Sequence, residues 1–291
     1  MHEKVGTLPV VRSVADLRRA VAQWRHAGEV IALVPTMGAL HTGHLALLAR
    51  AKELADRVVV SIFVNPTQFG PNEDFTRYPR DEAGDAAKLA AGKCDLLYAP
   101  DAAAMYPPGF TTSISVGPLA EPLDGRFRPG HFAGVATVVT KLLLQARPDI
   151  ACFGEKDYQQ LQIIRRLVRD LDIDARIDGV PTVREPDGLA LSSRNAYLAP
   201  EERRIAPALQ RTLQAVRSKI VAGGVPREVT AWGIAELGRA GFAKVDYLDA
   251  VDAETLAPLL VLDRPGRLLA AAWLGKTRLI DNIELAPGTG P

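Results

Sequence analysis

Short apolar runs alternate with amphipathic segments over the first 183 residues of the chain. The runs at residues 30–34 and 58–64 are typical of strands that are buried on both faces of a sheet. Ser13 can cap the first helix, in which apolar residues recur at helical spacing until Gly28. Strands that alternate with helices predict parallel βαβ units. Further strands are expected at residues 95–99, 150–153 and 175–183, and further helices at residues 43–55, 81–91, 131–147 and 158–171.

The pattern changes after residue 183, where two helical segments are followed by three strand-like segments. Helices and strands that do not alternate strictly predict a smaller α+β domain. We therefore expect an α/β protein, with a Rossmann-like doubly wound parallel sheet in residues 1–182 and the smaller domain in residues 183–291. In the smaller domain the helices are expected at residues 201–222 and 226–240, and the strands at residues 244–250, 268–273 and 278–285.

Charge and hydropathy narrow the class of partner. The chain of 291 residues carries 35 Lys and Arg against 34 Asp and Glu, a net charge of +1, and no run of like charge stands out. A nucleic-acid-binding protein normally presents a basic face, so we expect small-molecule substrates and no nucleic acid. The apolar run at residues 58–64 is far too short to span a bilayer, so no membrane partner is expected.

Two cysteines and the first residues indicate the compartment. Cys94 and Cys152 lie in apolar, strand-like stretches and form no CxxC pair, which predicts buried free thiols in a reducing compartment. Glu3 and Lys4 precede Arg12 and Asp16 without an apolar core, so we expect no signal peptide. These features predict a cytoplasmic protein.

The turn after the first buried strand holds the strongest candidate chemistry, and it reads PTMGALHTGH from Pro35 to His44. Ligands of parallel sheets bind at the carboxyl ends of strands, where a helix N-terminus offers N–H groups to an anion. Gly38 and Gly43 allow close approach of a phosphate and have the G-x-x-x-x-G spacing of a P-loop. However, His44 and Leu45 replace the Lys and Ser/Thr of that motif, so P-loop ATPase chemistry is not expected.

His41 and His44 are three residues apart and can present their rings to one side of a helix start. They could be incidental loop residues, or zinc ligands, although no H-E-x-x-H pattern or third ligand is evident. The glycines and the positive end of the helix favour a third interpretation, in which both histidines donate hydrogen bonds to phosphate oxygens.

This turn resembles the HIGH motif of the nucleotidyltransferase superfamily, here His41, Thr42, Gly43 and His44. The resemblance implies a second phosphate-binding element late in the chain. Ser192, Ser193 and Arg194 follow the last strand expected in the first domain, and two hydroxyls beside a guanidinium suit phosphate recognition.

Several longer motifs narrow the resemblance to one family. They are PTMGALH from residue 35, FVNPTQF from residue 63, YPR from residue 78, HFAGV from residue 131, FGEKDYQQ from residue 153 and VPTVR from residue 180. Together they resemble the pantothenate synthetase family over about residues 8–285, nearly the whole chain. The resemblance implies a ligase that condenses pantoate with β-alanine through a pantoyl-adenylate, using ATP and magnesium and releasing pyrophosphate and AMP.

The resemblance also implies roles for individual residues. His44 is expected to donate a proton to the departing pyrophosphate and Lys156 to bridge phosphates, with His41, Ser192, Ser193 and Arg194 completing the catalytic set. The expected ATP contacts are Met37, Gly38, Ala39, Leu40, His41, Thr42, Gly43, His44, Gly154, Glu155, Lys156, Asp157, Val183, Leu191, Ser192, Ser193 and Arg194. The expected pantoate and β-alanine contacts are Met37, Gln68 and Gln160, and Arg128 and His131 are further candidates near substrate or phosphate.

Three expectations concern magnesium, closure and assembly. Asp85 is the candidate magnesium contact, while Gly84 occupies a place that is sometimes Asp in the family. An adenylate hydrolyses if water enters, so we expect residues 183–291 to act as a lid over the nucleotide- and pantoate-binding domain. The family also implies a homodimer.

Other interpretations stay open on the sequence alone. A nucleotidyltransferase of the same fold could join a nucleotide to a phosphorylated substrate and keep it attached. A ligase acting on tRNA is disfavoured by the charge balance. A catalytically silent nucleotide-binding module would require the phosphate-binding residues to be degraded, whereas all of them are present.

Overall fold

The protein is described by a computed structural model that covers residues 3–5, 8–71 and 73–287. The strands are β1 Glu3–Val5, β2 Leu8–Val11, β3 Ile31–Thr36, β4 Arg57–Ile62, β5 Leu96–Tyr98, β6 Ile150–Gly154, β7 Arg176–Val180, β8 Lys244–Asp252, β9 Gly266–Leu274 and β10 Thr277–Leu285. The helices are α1 Val14–His26, α2 Thr42–Leu54, α3 Glu82–Ala91, α4 Ala102–Met105, α5 Asp124–Phe127, α6 His131–Ala146, α7 Tyr158–Asp170, α8 Pro200–Ile205, α9 Ala208–Val221 and α10 Pro226–Ala240.

The described residues form two compact units. The first contains the chain up to Ala120 together with Arg128–Glu155 and Ile163–Pro181. The second contains Glu121–Phe127, Lys156–Gln162 and the chain from Thr182 onward. The predicted boundary at residue 182 assigns Glu121–Phe127 and Lys156–Gln162 to the first domain, whereas these two segments cluster with the second unit.

A seven-stranded sheet in the order β1-β2-β5-β4-β3-β6-β7 forms the first unit. All its pairs are parallel except β1 with β2. Because successive side chains of a strand point to opposite faces, Ala32 and Val34 join the apolar cluster that contains Leu47 and Leu48 of α2, while Ile31 and Leu33 point to the other face. All four strand residues are buried, and the predicted doubly wound fold is confirmed.

The strand order reverses between β3 and β6. From β3 the chain continues through β4 and β5 on one side, whereas β6 and β7 lie on the other. Ligands of open α/β sheets bind outside the carboxyl ends of the strands at such a switch point. In the first unit this point is bordered by the turn after Thr36 and by the end of β6 at Gly154.

A three-stranded antiparallel sheet, in the order β10-β9-β8, forms the second unit with helices α9 and α10. Leu213 and Val216 of α9 and Leu237 of α10 are buried in one apolar cluster with Leu268 and Leu279 of the sheet. The predicted smaller α+β fold is confirmed.

Buried polar contacts explain why residues 121–127 belong to the second unit. The carboxylate of Asp124 accepts hydrogen bonds from Arg278 at 2.6 Å and from the Tyr247 hydroxyl at 3.0 Å. Burial raises the pKa of Tyr247 well above its usual range, so the phenol keeps the proton that it donates. Gln159 also accepts from the Asp124 N–H and donates to the carbonyl of Pro122.

Two local predictions were wrong, and two short strands were missed. The strand expected to end before Pro35 continues to Thr36, because β3 pairs with β6 only at Ala32 and Leu33 and no neighbour on that side needs the missing N–H. The single helix expected at residues 201–222 is two helices, since Pro207 cannot continue the preceding one. The short strands β1, at the edge of the sheet, and β2, between β1 and β5, were not predicted.

None of the helices within the described residues is long and apolar enough to cross a bilayer. Cys94 and Cys152 are both buried and unbridged, which confirms the predicted free thiols. Burial raises the pKa of each thiol to about 12.

We expect both cysteines to resist alkylation in the native protein, because the thiolate is the reactive form and hardly forms near pH 8. Iodoacetamide at pH 8 should modify neither Cys94 nor Cys152 without denaturant and both in urea, as measured by intact mass. Rapid native modification of either residue would contradict the burial described here.

Candidate active site

The turn between β3 and α2 has an unusual backbone. Gly38 and Ala39 both have positive φ, 82° and 49°. A Cβ on Gly38 would lie 3.1 Å from the Asp85 carboxylate and from Ile62, so glycine is required by conformation and by space. A left-handed alanine costs about 1–2 kcal/mol. Strain of this kind is often found at functional sites.

Helix α3 holds this turn through Leu40, which is 3% exposed. The N–H of Leu40 donates to Asp85 Oδ1 at 2.8 Å, and its carbonyl accepts from Lys88 Nζ at 2.9 Å. Asp85 and Lys88 are themselves paired at 3.3 Å. One ion pair therefore satisfies both backbone groups of a buried residue next to the two histidines.

The two histidines lie at the start of α2, and a backbone N–H fixes the tautomer of each ring. His41 Nδ1 accepts from the Gly43 N–H at 3.1 Å, and His44 Nδ1 accepts from the His41 N–H at 3.3 Å. An Nδ1 that accepts a hydrogen bond carries no proton, so each neutral ring has its proton on Nε2. The ring centroids are 4.1 Å apart. This pair presents two N–H donors of the kind that phosphate oxygens accept.

A second turn brings two of the predicted pantoate contacts, Met37 and Gln68, together. Gln68 ends the 3₁₀ turn Pro66–Gln68, whose Asn65 cap is 1% exposed. Asn65 Nδ2 donates to Gln68 Oε1 at 3.0 Å, which orients the Gln68 amide so that Nε2 lies 3.0 Å from Met37 Sδ. The structure thus brings Met37 and Gln68 into contact.

Helix α6 fixes the position of this second turn. A Cβ on Gly134 would lie 2.3 Å from the carbonyl oxygen of Thr67, so only glycine permits the approach. Arg128 can only donate, so His131 Nε2 accepts from it at 3.0 Å and His131 Nδ1–H donates to the Gln68 carbonyl at 2.8 Å. Glu73 binds the same guanidinium through two hydrogen bonds.

In the first unit, Gly154 and Glu155 lie at the end of β6, and a Cβ on Gly154 would meet nothing within 4 Å. In the second unit, Lys156 and Asp157 complete the 3₁₀ turn before α7, and Gln160 lies on the first turns of α7. The backbone at the switch point is thus accessible beside β6.

The second unit also contains the Ser-Ser-Arg segment. Val183 accepts from the N–H of Leu191, which closes a short loop directly before Ser192. The Ser192 hydroxyl accepts from the Arg194 N–H at 3.2 Å and caps the 3₁₀ helix Ser193–Tyr197. All the predicted residues of this segment are half-buried.

The contacts of Asp85 fit a metal ligand poorly. One carboxylate oxygen is used by Leu40 and Lys88, and the other faces Gly38. Within the part of the chain that the structure describes, no group of three His, Cys, Asp or Glu side chains could hold a metal ion. The role of Asp85 as a magnesium contact stays a prediction.

Sequence analysis missed several residues that support this site. Lys88 was not singled out, although its spacing of three from Asp85 on a helix indicates an ion pair. Glu73 carries no local signal, because its partner is distant in the sequence. Gly134 lies in the HFAGV motif, but the motif does not indicate that Thr67 lies against it.

The sheet with its switch point and histidine-capped turn defines an α/β nucleotide-binding protein of the nucleotidyltransferase type. The sequence profile of the pantoate–β-alanine ligase family matches residues 9–284. The chain belongs to the pantoate–β-alanine ligase, or pantothenate synthetase, family, which confirms the resemblance found in its motifs.

Individual relatives agree with this membership. The pantothenate synthetase of Paramagnetospirillum magneticum is 62% identical over 278 residues, which cover 96% of this chain and 98% of the relative. The crystal structure of pantothenate synthetase from Thermus thermophilus has a TM-score of 0.90 at 50% identity, covering 96% of this chain and 99% of its own. A pantoate–β-alanine ligase from Francisella tularensis, in complex with β,γ-ATP and β-alanine, has a TM-score of 0.81 at 35% identity. The match covers 95% of this chain and 97% of the Francisella chain.

Two substitutions distinguish the roles of Asp85. Asp85→Asn keeps an oxygen for the Leu40 N–H, whereas Asp85→Ala leaves that buried donor without its acceptor at a cost of about 1–3 kcal/mol. We expect urea unfolding to show a clear loss of stability for Asp85→Ala and a smaller one for Asp85→Asn. The magnesium concentration for half-maximal activity should stay unchanged in Asp85→Asn. A large rise in that concentration at unchanged stability would instead assign Asp85 to the metal.

Proposed function

We propose that this chain catalyses the ATP-dependent condensation of pantoate with β-alanine to pantothenate, through a pantoyl-adenylate and with release of pyrophosphate and AMP. Family membership over nearly the whole chain supports the reaction. The observation that carries the proposal is the start of α2, where His41 and His44 accept backbone N–H groups at Nδ1 and keep their protons on Nε2.

The reaction needs no protein nucleophile. A carboxylate oxygen of pantoate attacks the α-phosphorus of ATP, the bond from that phosphorus to the bridging oxygen breaks, and pyrophosphate leaves. The amine of β-alanine then attacks the acyl carbon, AMP departs and the amine loses a proton. The protein contributes orientation and stabilisation of developing negative charge.

Several side chains are assigned to phosphate binding in this proposal. His41 and His44 donate hydrogen bonds from Nε2 to phosphate oxygens, and His44 donates a proton to the departing pyrophosphate. In the second unit, Lys156 supplies a point charge, and the hydroxyls of Ser192 and Ser193 with the guanidinium of Arg194 supply directional donors. The remaining proposed ATP contacts are backbone and side-chain groups of Met37, Gly38, Ala39, Leu40, Thr42, Gly43, Gly154, Glu155, Asp157, Val183 and Leu191.

Pantoate binding is assigned to Met37, Gln68 and Gln160. The Met37 thioether offers an apolar surface to the methyl groups of the substrate. Gln68 has an amide whose orientation is fixed by Asn65, so donor and acceptor are already directed before the substrate arrives. Gln68 also borders the β-alanine site in this proposal.

Magnesium enters as part of the substrate, MgATP, because a triphosphate needs its charge neutralised. Three further parts of the proposal are supported by family membership alone. These are a homodimer, a cytoplasmic location and a lid function for residues 183–291.

Isotope exchange tests the order of the two steps. With enzyme, magnesium, ATP and pantoate, labelled pyrophosphate should exchange into ATP in the absence of β-alanine, because adenylate formation is reversible. Gln68→Ala should slow this exchange. Exchange without pantoate would indicate a covalent nucleotidyl-enzyme, and absence of exchange under all conditions would favour a silent nucleotide-binding module.

Lys156→Ala should lower kcat by about 10²-fold, since one preorganised donor to a transition-state oxyanion is worth roughly 3–4 kcal/mol. Lys276→Ala is the matched control, because Lys276 is an exposed lysine of the same unit, between β9 and β10. Steady-state kinetics and a thermal unfolding curve are needed for both. Turnover of Lys156→Ala at the control level would make Lys156 an ordinary surface residue.

A further inference from the structure

We propose that Asn282 is a positioning residue for Lys156, so that strand β10 sets where the catalytic ammonium lies. The inference rests on the phosphate-binding role proposed for Lys156. Asn282 lies outside the motifs that identify the family in the sequence, and it contacts Lys156 through the backbone carbonyl of that lysine.

The contact is direct and buried. Asn282 is 2% exposed, and its Nδ2 donates to the carbonyl oxygen of Lys156 at 2.8 Å. Lys156 lies in the short turn Glu155–Asp157, which has no ladder of strand hydrogen bonds to hold it. The side-chain amide therefore takes the place of a backbone partner for this peptide.

Arg267 fixes the orientation of the Asn282 amide. Its Nε donates to Asn282 Oδ1 at 2.7 Å, which leaves Nδ2 as the end that meets Lys156. The Arg267 guanidinium also lies 4.2 Å from the ring centroid of Tyr158, two residues after Lys156, and the Tyr158 hydroxyl donates to the carbonyl of Ala253. The chain directly after the peptide that Asn282 binds is thus held as well.

The residue before Asn282 holds the other phosphate-binding segment. Asp281 receives two hydrogen bonds from Arg184, at 2.7 and 2.9 Å, and Arg184 also donates to the carbonyl of Gly188 in the loop that leads to Ser192. Because side chains alternate along a strand, Asp281 and Asn282 point to opposite faces of β10. Two adjacent residues of one strand therefore anchor both segments.

The physical need for such an anchor lies in the lysine side chain. A lysine ammonium is a point charge on a flexible four-carbon stem, so its reach is defined only as well as its backbone is. A displacement of about 1 Å at a reacting centre can cost on the order of 10²-fold in rate. The Asn282 hydrogen bond constrains the one part of Lys156 that the sheet can hold.

Asn282→Asp tests this contact most directly. The substitution keeps the shape of the side chain and the acceptor for Arg267, but it replaces the donor to Lys156 with a carboxylate oxygen. We expect pantoate-dependent pyrophosphate exchange to fall by roughly tenfold or more, with KM for β-alanine unchanged in the complete reaction. Glu284→Gln, an exposed position two residues along β10, is the control and should keep the wild-type rate.

A double-mutant cycle separates positioning from a general loss of structure. If Asn282 acts through the Lys156 ammonium, Asn282→Asp should cause little further loss in a Lys156→Ala background. An equal loss in both backgrounds, or a wild-type rate for Asn282→Asp alone, would overturn the proposal. A wild-type rate for Lys156→Ala alone would instead remove the function proposed for Lys156.

Arg267→Lys provides a second test should Asn282→Asp fold poorly. It keeps the positive charge on a partly exposed residue but loses the guanidinium that orients the amide. We expect a smaller fall in exchange that also disappears in the Lys156→Ala background. A fall of the same size in both backgrounds would contradict the role assigned to Asn282.

Discussion

The Leu40 peptide lies between the end of a strand and the start of a helix, where no regular ladder can pair its N–H and carbonyl groups. Asp85 and Lys88 satisfy both groups from a neighbouring helix. Without them, two backbone groups would be buried unpaired, at a cost of about 1–3 kcal/mol each. The Gly38–Ala39 conformation and the position of the capping histidines both depend on this arrangement.

Much of the fold was predictable because its signals are local. Buried strands of a parallel sheet are short apolar runs, and the helices between them are amphipathic, so their alternation specifies the doubly wound sheet. The histidine turn was also predictable, since Gly38, His41 and His44 follow a buried strand directly. What the pattern could not contain was the acceptor role of each Nδ1, which depends on backbone geometry at the helix start.

The remaining features depend on residues far apart in the sequence. The approach of α6 to the Gln68 turn requires Gly134, and nothing near Gly134 indicates that a carbonyl oxygen will lie against it. Likewise, residues 121–127 fall between a predicted strand and a predicted helix, and contacts such as those of Asp124 with Tyr247 and Arg278 show that they belong to the second unit. The periodicity of apolar residues indicates which face of a helix or strand is buried, but it does not identify the element that packs against that face.

The hydrogen bond from Asn282 to Lys156 joins residues 126 positions apart. During translation, Lys156 therefore leaves the ribosome well before its partner has been synthesised, with a delay on the order of 10 s at usual elongation rates. The sheet of the first unit can form within that interval, because β1 to β7 are complete by Val180. The hydrogen bond from Asn282 to Lys156, by contrast, cannot form until β10 has been made. A nascent chain can thus contain the finished sheet and still lack the hydrogen bond that holds the lysine proposed to bind phosphate.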